Sequence, residues 1–363
     1  MKNFKHAALL VEGATDIFQA KTASALLRYR PNDVSFLIDK THSSQKPNIF
    51  SSAPNTKVVK SMSEVKTEAD VLIICMVLPE GSIPSRWIEE INSALKNNVD
   101  IINPLHIDFG TIPEISSAMG GVSINSTEYK TVFNNSKAVI YNIRVVPNDL
   151  ELFSLKVLNT KAKRVLTVGS DCNIGKMLTT LELDKMAKKQ GLDSGFIATG
   201  QIGILIKGSG IAIDRVICDF LPGAVERLIL AEKDRDILFV EGQGSIFQPI
   251  YSGVTLGLIH GTAPDAMVLC HVPSRKKLRY TDIDILDYKT MIRMHEEISS
   301  IVNKTKVVGI SLNCFDLTDA QAMDAIKKAE DETGLPATDP VKFGSQKTIK
   351  AVTEYLTPSR SCC

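Results

Sequence analysis

Short apolar runs alternate with amphipathic stretches through the first third of the chain: AALLVEG, AKTASALLRYR, DVSFLID, ADVLIICMVLP, SRWIEEINSALKN and VDIIN. In that order they predict strand, helix, strand, strand, helix and strand, the alternation of a parallel sheet covered by helices. Residues from about 105 to 160 are less regular, with GTIPEISSAMGG and the polar NSTEYK and NNSK before an apolar KAVIYNIRVVP that closes at Pro147 and Asn148. From Arg164 the pattern restarts with RVLTVG, a helix over 175–190, SGFIATG, a helical region around 225–230 and DILFVEGQG. AMVLCH, a helix through MIRMHEEISSIV, KVVGISLNC, and two last helices in DAQAMDAIKKAEDETG and SQKTIKAVTEYL follow. Five strands, each followed by helical sequence, predict a second, doubly wound α/β domain. The expected architecture is α/β with two parallel-sheet domains, residues 1–148 and 149–357, and a frayed tail over 358–363.

Composition narrows the function classes. The 363 residues carry 42 Lys plus Arg against 41 Asp plus Glu, a net charge of +1. No global field collects nucleic acid or an anionic membrane surface, so any phosphate recognition has to be local. The longest apolar run, Val71 to Leu78, is far short of the about 20 residues of a bilayer span and reads as a buried strand. The opening MKNFKHAALLVEG meets Glu12 before any cleavage-site pattern, so no export signal is expected. Seven scattered cysteines without CxxC spacing read as reduced thiols of a cytoplasmic protein, with no structural metal site.

The sharpest chemical signal follows the strand RVLTV. Gly169, Ser170, Asp171, Cys172, Asn173, Ile174, Gly175 and Lys176 match G-x-x-x-x-G-K, and a helix begins at once. Such a loop wraps backbone N–H groups around a phosphate while the helix N-terminus and the Lys add positive potential. The next residue is Met177, where a Walker A loop places the Ser or Thr whose hydroxyl holds Mg²⁺. A cradle that keeps its amides and loses its metal ligand suits a pyrophosphate, such as that of coenzyme A, better than transfer of a terminal phosphoryl group.

Other candidates stand at strand ends, where open α/β sheets bind ligands. Gln201 follows SGFIATG in a glycine-rich stretch that reads either as a ligand-approaching segment or as a flexible loop. Glu241 ends LFVEGQGS and is a candidate for a metal-handling acid or a general base; the plain alternative is an exposed strand-end acid or a helix-capping partner. Tyr251 and Ser252 precede the short helix VTLGLI, and His260 follows it as a possible proton carrier or a hydrogen-bonded structural histidine. Arg275, in HVPSRKKLR, can pair a carboxylate or phosphate, or be one of a run of solvated charges. In the first domain the turn after strand one has one glycine, Gly13, where a dinucleotide fingerprint has three, although Asp39 ends strand two where a ribose-binding acid would sit. NAD is therefore not expected there, and a wall of an interdomain cleft or a subunit interface is.

At GSDCNIGKM, ATGQIGILI, VEGQGSIFQPIYSGVTLGLIHGTAPDAMVLCH and LPATDPVKFG the sequence resembles the D-glutamate N-acetyltransferase family. The likeness covers nearly the whole chain, GATD, AKTASALLRY and NIRVVP included, and is most specific from Val165 to His271. It implies a Rossmann-like N-terminal domain, a P-loop C-terminal domain, and a homodimer or higher homo-oligomer. The implied reaction moves the acetyl group of acetyl-CoA to the amine of D-glutamate, giving N-acetyl-D-glutamate in D-amino acid catabolism, with no metal. On that reading the loop from Gly169 to Met177 holds the coenzyme, Glu241 or His260 is the base, and Arg275 and Arg144 pair the substrate carboxylates beside Gln201, Tyr251 and Ser252. Asp171, Gly175 and Lys176 also resemble the loop of dethiobiotin synthetase, which Met177 breaks. An ATP- and Mg²⁺-dependent kinase or ligase is thus the competing expectation, and a non-catalytic nucleotide-binding regulator the third.

Overall fold

The computed structural model describes residues 2–13, 20–41, 55–76, 83–127 and 129–357. The last residues of the run from Val71, most of the GATD turn and the tail lie outside them. The chain divides into two compact units, one of Met1–Val145 with Ile204–Ser209, the other of Val146–Gly203 with Gly210–Cys363.

The first unit is built on a seven-stranded sheet. Its elements are β1 (Ala7–Leu10), α1 (Lys21–Tyr29), β2 (Val34–Ile38), β3 (Lys57–Val59), α2 (Met62–Val65), β4 (Val71–Ile74), α3 (Ser85–Lys96), β5 (Asp100–Asn103), α4 (Pro113–Ser116), β6 (Lys130–Val132) and β7 (Val139–Asn142). The strand order is β3-β2-β1-β4-β5-β7-β6, parallel except where β6 runs antiparallel to β7. β1 and β4 are apolar at every position and buried throughout, as strands covered on both faces must be. Alternate side chains feed two cores: Ala8, Leu10, Leu72 and Ile74 join Trp87 and Ile91 of α3 on one face, while Leu9, Val71 and Ile73 meet Leu26 and Leu27 of α1 on the other. Three-residue β3 and β6 are too short to leave a periodic trace, so the pattern did not predict them.

The second unit carries a six-stranded, all-parallel sheet in the order β13-β12-β11-β8-β10-β9. Its strands are β8 (Lys163–Gly169), β9 (Ser194–Ile197), β10 (Ile237–Val240), β11 (Ala266–His271), β12 (Lys306–Leu312) and the two-residue β13 (Ala337–Thr338). Its helices are α5 (Lys176–Lys189), the first residues of α6 (Gln201–Lys207), whose part from Ile204 belongs to the first unit, α7 (Leu221–Leu230), α8 (Ser252–Thr262), α9 (Tyr288–Ser299), α10 (Asp319–Thr333) and α11 (Gln346–Leu356). Register again splits the strands between two faces. Leu166, Val168, Leu238, Val240, Met267 and Leu269 point to one core, and Val165, Ile237, Phe239, Ala266 and Val268 to the other.

Local signals set the helix ends: Asp287 caps α9 by accepting the Thr290 N–H, and Thr318 with Gln321 forms a capping box at α10, which Gly334 closes. Gln201–Lys207, which the sequence left between a ligand-approaching segment and a flexible loop, is helix α6. The buried Glu226 of α7 accepts the Ser154 and Val157 N–H groups at 2.8 and 3.0 Å and so fastens the segment entering this unit.

Candidate functional site

β8 lies mid-sheet with β11 on one side and β10 on the other. Its carboxyl end is therefore a point where connections diverge, the place where open α/β sheets hold ligands. Between Gly169 and Lys176 the chain forms a loop organised by a fully buried carboxylate, Asp171. Asp171 Oδ1 accepts the Cys172 N–H at 2.7 Å and Gln248 Nε2 at 3.2 Å. Its Oδ2 accepts the Arg279 N–H at 2.7 Å and Arg275 Nη1 at 2.9 Å. Burial pushes this carboxyl up, but the Arg279 and Cys172 amides, Gln248 and Arg275 outweigh it and hold the group below the ordinary carboxylate range. Arg275 also donates to Cys172 O at 2.8 Å and Asn173 O at 3.4 Å, so its guanidinium braces the loop from outside.

Inside the loop the backbone is shaped to receive an anion. Asn173 and Gly175 are left-handed, at φ +51° and +99°, and a Cβ on Gly175 would stand 3.3 Å from Asn313 Nδ2. The N–H groups of Ile174 and Gly175 reach no acceptor among the described residues. Beside them the buried Lys176 donates from Nζ to Asp171 O at 2.8 Å. Orphaned donors at a helix start next to a buried ammonium fit a phosphate or pyrophosphate.

Met177 is buried at the metal-ligand position. The nearby hydroxyls are committed elsewhere: Thr179 Oγ1 pairs with Ser311 Oγ at 2.7 Å, and Thr180 Oγ1 donates to Lys176 O at 2.7 Å and meets Thr167 Oγ1 at 2.9 Å. Among the described residues no three His, Cys, Asp or Glu side chains converge as a metal-holding group.

The end of β10 is stitched to the loop. Gly242 N–H donates to Thr167 Oγ1 at 3.0 Å, and Ser245 Oγ to Gly169 O at 2.8 Å. Glu241 is buried, its Oε2 accepting the Thr199 and Gly200 N–H groups at 2.9 and 3.0 Å. Gly203 of α6 lets it approach, since a Cβ there would lie 2.3 Å from Glu241 Oε2. Gln201 is half-buried at the first position of α6.

Tyr251 precedes α8 and Ser252 begins it. Burial, then the neighbouring Cys172 and Tyr280, raise the Tyr251 hydroxyl above its ordinary value. Cys172 is raised by burial and by the Asp171 charge, which keeps it a thiol rather than a nucleophilic thiolate. His260 sits in the last turn of α8; burial lowers its pKa, and its buried Nε2 has no hydrogen-bond partner among the described residues. No bond ties it to the phosphate loop. Arg144 is a buried residue of the first unit, after β7.

Three further contributors, His271, Gln248 and Arg279, come from within VEGQGSIFQP and HVPSRKKLR. His271 meets Ser170 Oγ through Nδ1 at 2.9 Å, and burial with the nearby Lys276 and Arg275 charges pushes it down to about 4, so it is neutral at pH 7. Gln248 bridges Asp171 to Arg279 O, the latter at 2.7 Å. Arg279 opens the tip of a turn in which Thr281 N–H donates to Leu278 O at 3.1 Å. At the next position Tyr280 has φ +66°, a left-handed backbone that costs an aromatic residue about 1–3 kcal/mol.

Comparison with known proteins places this loop in a family. A P-loop domain described as a domain of unknown function (DUF1611_C) matches residues 151–349, and its Rossmann-like companion (DUF1611_N) matches residues 40–124. A Tritonibacter scottomollicae protein named D-glutamate N-acetyltransferase is 31% identical over 95% of this chain and 97% of its own length. A Pseudoalteromonas protein of the same name is 33% identical over 78% of this chain and 81% of its own. The crystal structure of a DUF1611 family protein from Anabaena variabilis superposes with a TM-score of 0.86 at 33% identity, covering 96% of this chain and 99% of that one. The chain belongs to the D-glutamate N-acetyltransferase family, with the Rossmann-like and P-loop domains of DUF1611.

Proposed function

We propose that this protein is an N-acetyltransferase that moves the acetyl group of acetyl-CoA to the amine of D-glutamate, giving N-acetyl-D-glutamate. The names of the two relatives support the reaction. The observation that carries the chemistry is a phosphate loop with uncommitted Ile174 and Gly175 amides and a buried Lys176, but with Met177 where a magnesium-holding hydroxyl belongs. Thr179 and Thr180 do not replace that hydroxyl, since both are bonded into the core behind the loop. This favours a bound pyrophosphate over a transferred phosphoryl group.

In this reading acetyl-CoA supplies the activated acyl group, and the segment from Gly169 to Met177 holds its pyrophosphate. Glu241, oriented by two backbone N–H donors, takes the proton of the acceptor ammonium. His260, neutral at pH 7, is the second candidate base. The freed amine adds to the thioester carbonyl to form the C–N bond; collapse of the tetrahedral oxyanion then breaks the C–S bond, and the nitrogen's second proton passes to the departing sulfur, so the coenzyme leaves as its thiol. Gln243 and Gly244 N–H groups, without acceptors among the described residues, are the donors proposed for the oxyanion. Gln201, Tyr251 and Ser252 line the acceptor side, and Arg275 acts through the loop it braces.

The test is thiol release from acetyl-CoA with D-glutamate, L-glutamate or no acceptor, each with EDTA and with Mg²⁺. D-glutamate-dependent release that persists in EDTA is expected. Release only with ATP and Mg²⁺, accompanied by ADP, would replace this reading with the kinase or ligase.

A further inference from the structure

Two arginines flank the phosphate loop, and the structure treats them oppositely. Arg275 gives its guanidinium to Asp171 Oδ2, Cys172 O and Asn173 O. Arg279 is held by its backbone instead: its N–H donates to Asp171 Oδ2, and its carbonyl accepts from Gln248 Nε2, both at 2.7 Å. Its guanidinium makes no hydrogen bond or ion pair among the described residues. It lies 4.9 Å from the centroid of the Tyr280 ring, which is 65% exposed. A solvated surface arginine needs neither a pinned backbone nor a strained neighbour. Here the Leu278 N–H donates to Ile283 O at 2.8 Å, the Thr281 N–H to Leu278 O, and an aromatic residue occupies a left-handed position where glycine would be unstrained. The positive charge also reaches Cys172 and Tyr251, opposing the rise in both.

We propose that Arg279, backed by Tyr280, binds a substrate oxyanion at this site, either a carboxylate of the acceptor amino acid or a phosphate of the coenzyme. Planar guanidinium matches both anions bidentately, and its ring support reduces the freedom it must lose on binding. The assignment rests on the acetyltransferase reading for the identity of the two ligands. Because both anchoring bonds come from the backbone of Arg279, Arg279→Ala removes the charge and leaves the loop's bonds in place.

Steady-state kinetics of wild type, Arg279→Ala and Arg279→Lys, with melting midpoints for each, test the proposal. The expected result is a rise of about tenfold or more in one KM for Arg279→Ala, partial recovery in Arg279→Lys and an unchanged midpoint. A rise confined to the KM of D-glutamate identifies the carboxylate, and one confined to acetyl-CoA the phosphate. Unchanged KM values for both overturn the proposal. If wild type releases no thiol with any amino acid, the reaction assigned above has failed. Calorimetric titration of wild type and Arg279→Ala with D-glutamate and with inorganic pyrophosphate then decides. Loss of binding to either ligand in the variant supports the oxyanion role; equal binding by both proteins, or no binding by wild type, overturns it. Tyr280→Gly relieves the backbone strain, so its midpoint should hold or rise while affinity falls; undiminished affinity contradicts the role of the ring.

Discussion

A buried aspartate stands at the end of each unit's opening parallel strands: Asp39 meets the described start of the turn after β1, at Gly13, and Asp171 sits in the loop after β8. Asp39, at the end of the neighbouring β2, uses Oδ1 to accept the Gly13 and Thr41 N–H groups at 3.0 and 2.9 Å. Asp171 belongs to the loop itself and gathers Cys172, Gln248, Arg275 and Arg279, three of them from segments following β10 and β11. Asp171 thereby joins three strand ends and, among the described residues, leaves the amides of Ile174 and Gly175 uncommitted. A parallel sheet supplies such a turn at every central strand, so what makes one a candidate site is the outside bracing that lets inward donors stay unpaired.

Breaking that bracing should have the largest effect. Asp171→Ala strips the partner from Arg275 and the acceptor from two backbone amides in a buried setting. A loss of about 3–5 kcal/mol is expected, read as a lowered denaturation midpoint together with lost coenzyme binding. Lys176→Ala should leave the fold intact and weaken coenzyme A on the order of 100-fold, a charge-assisted contact of about 1.5–3 kcal/mol, measured by calorimetry.

A smaller effect separates the units by pH. Burial pushes His271 and His295, both in the second unit, down to about 4. The unfolded chain takes up these protons near 6.5 and the folded chain only near 4, so the stabilisation is full above 6.5 and lost as pH falls through this window. Urea midpoints from pH 7 to 4.5 should fall accordingly, and His295→Phe should flatten the slope. Smallest is Asp39→Ala, expected to cost about 1–2 kcal/mol of stability without changing coenzyme affinity. A matching loss of affinity would erase the distinction between the turns.

Sequence made the α/β class, the long strands and the loop from Gly169 to Met177 legible, because each is a local pattern of apolar period or glycine spacing. Short β3, β6 and β13 escaped because two or three residues carry no period. Helix α6 was ambiguous because its glycine at 203 reads as looseness until Glu241 is seen against it. Arg275 and Arg279 stand four apart in one charged run, and no linear signal tells which guanidinium faces the loop. Gln248 and Arg279 reach Asp171 from 77 and 108 residues away, so only the folded chain shows the brace.

The central claim is that this loop holds a coenzyme pyrophosphate without a metal. Titrating coenzyme A into wild type and Lys176→Ala by calorimetry, in EDTA and then in Mg²⁺, tests it most directly. The account predicts equal wild-type affinity in both buffers and a large loss in the variant; binding that needs Mg²⁺, or that ignores Lys176, would contradict it.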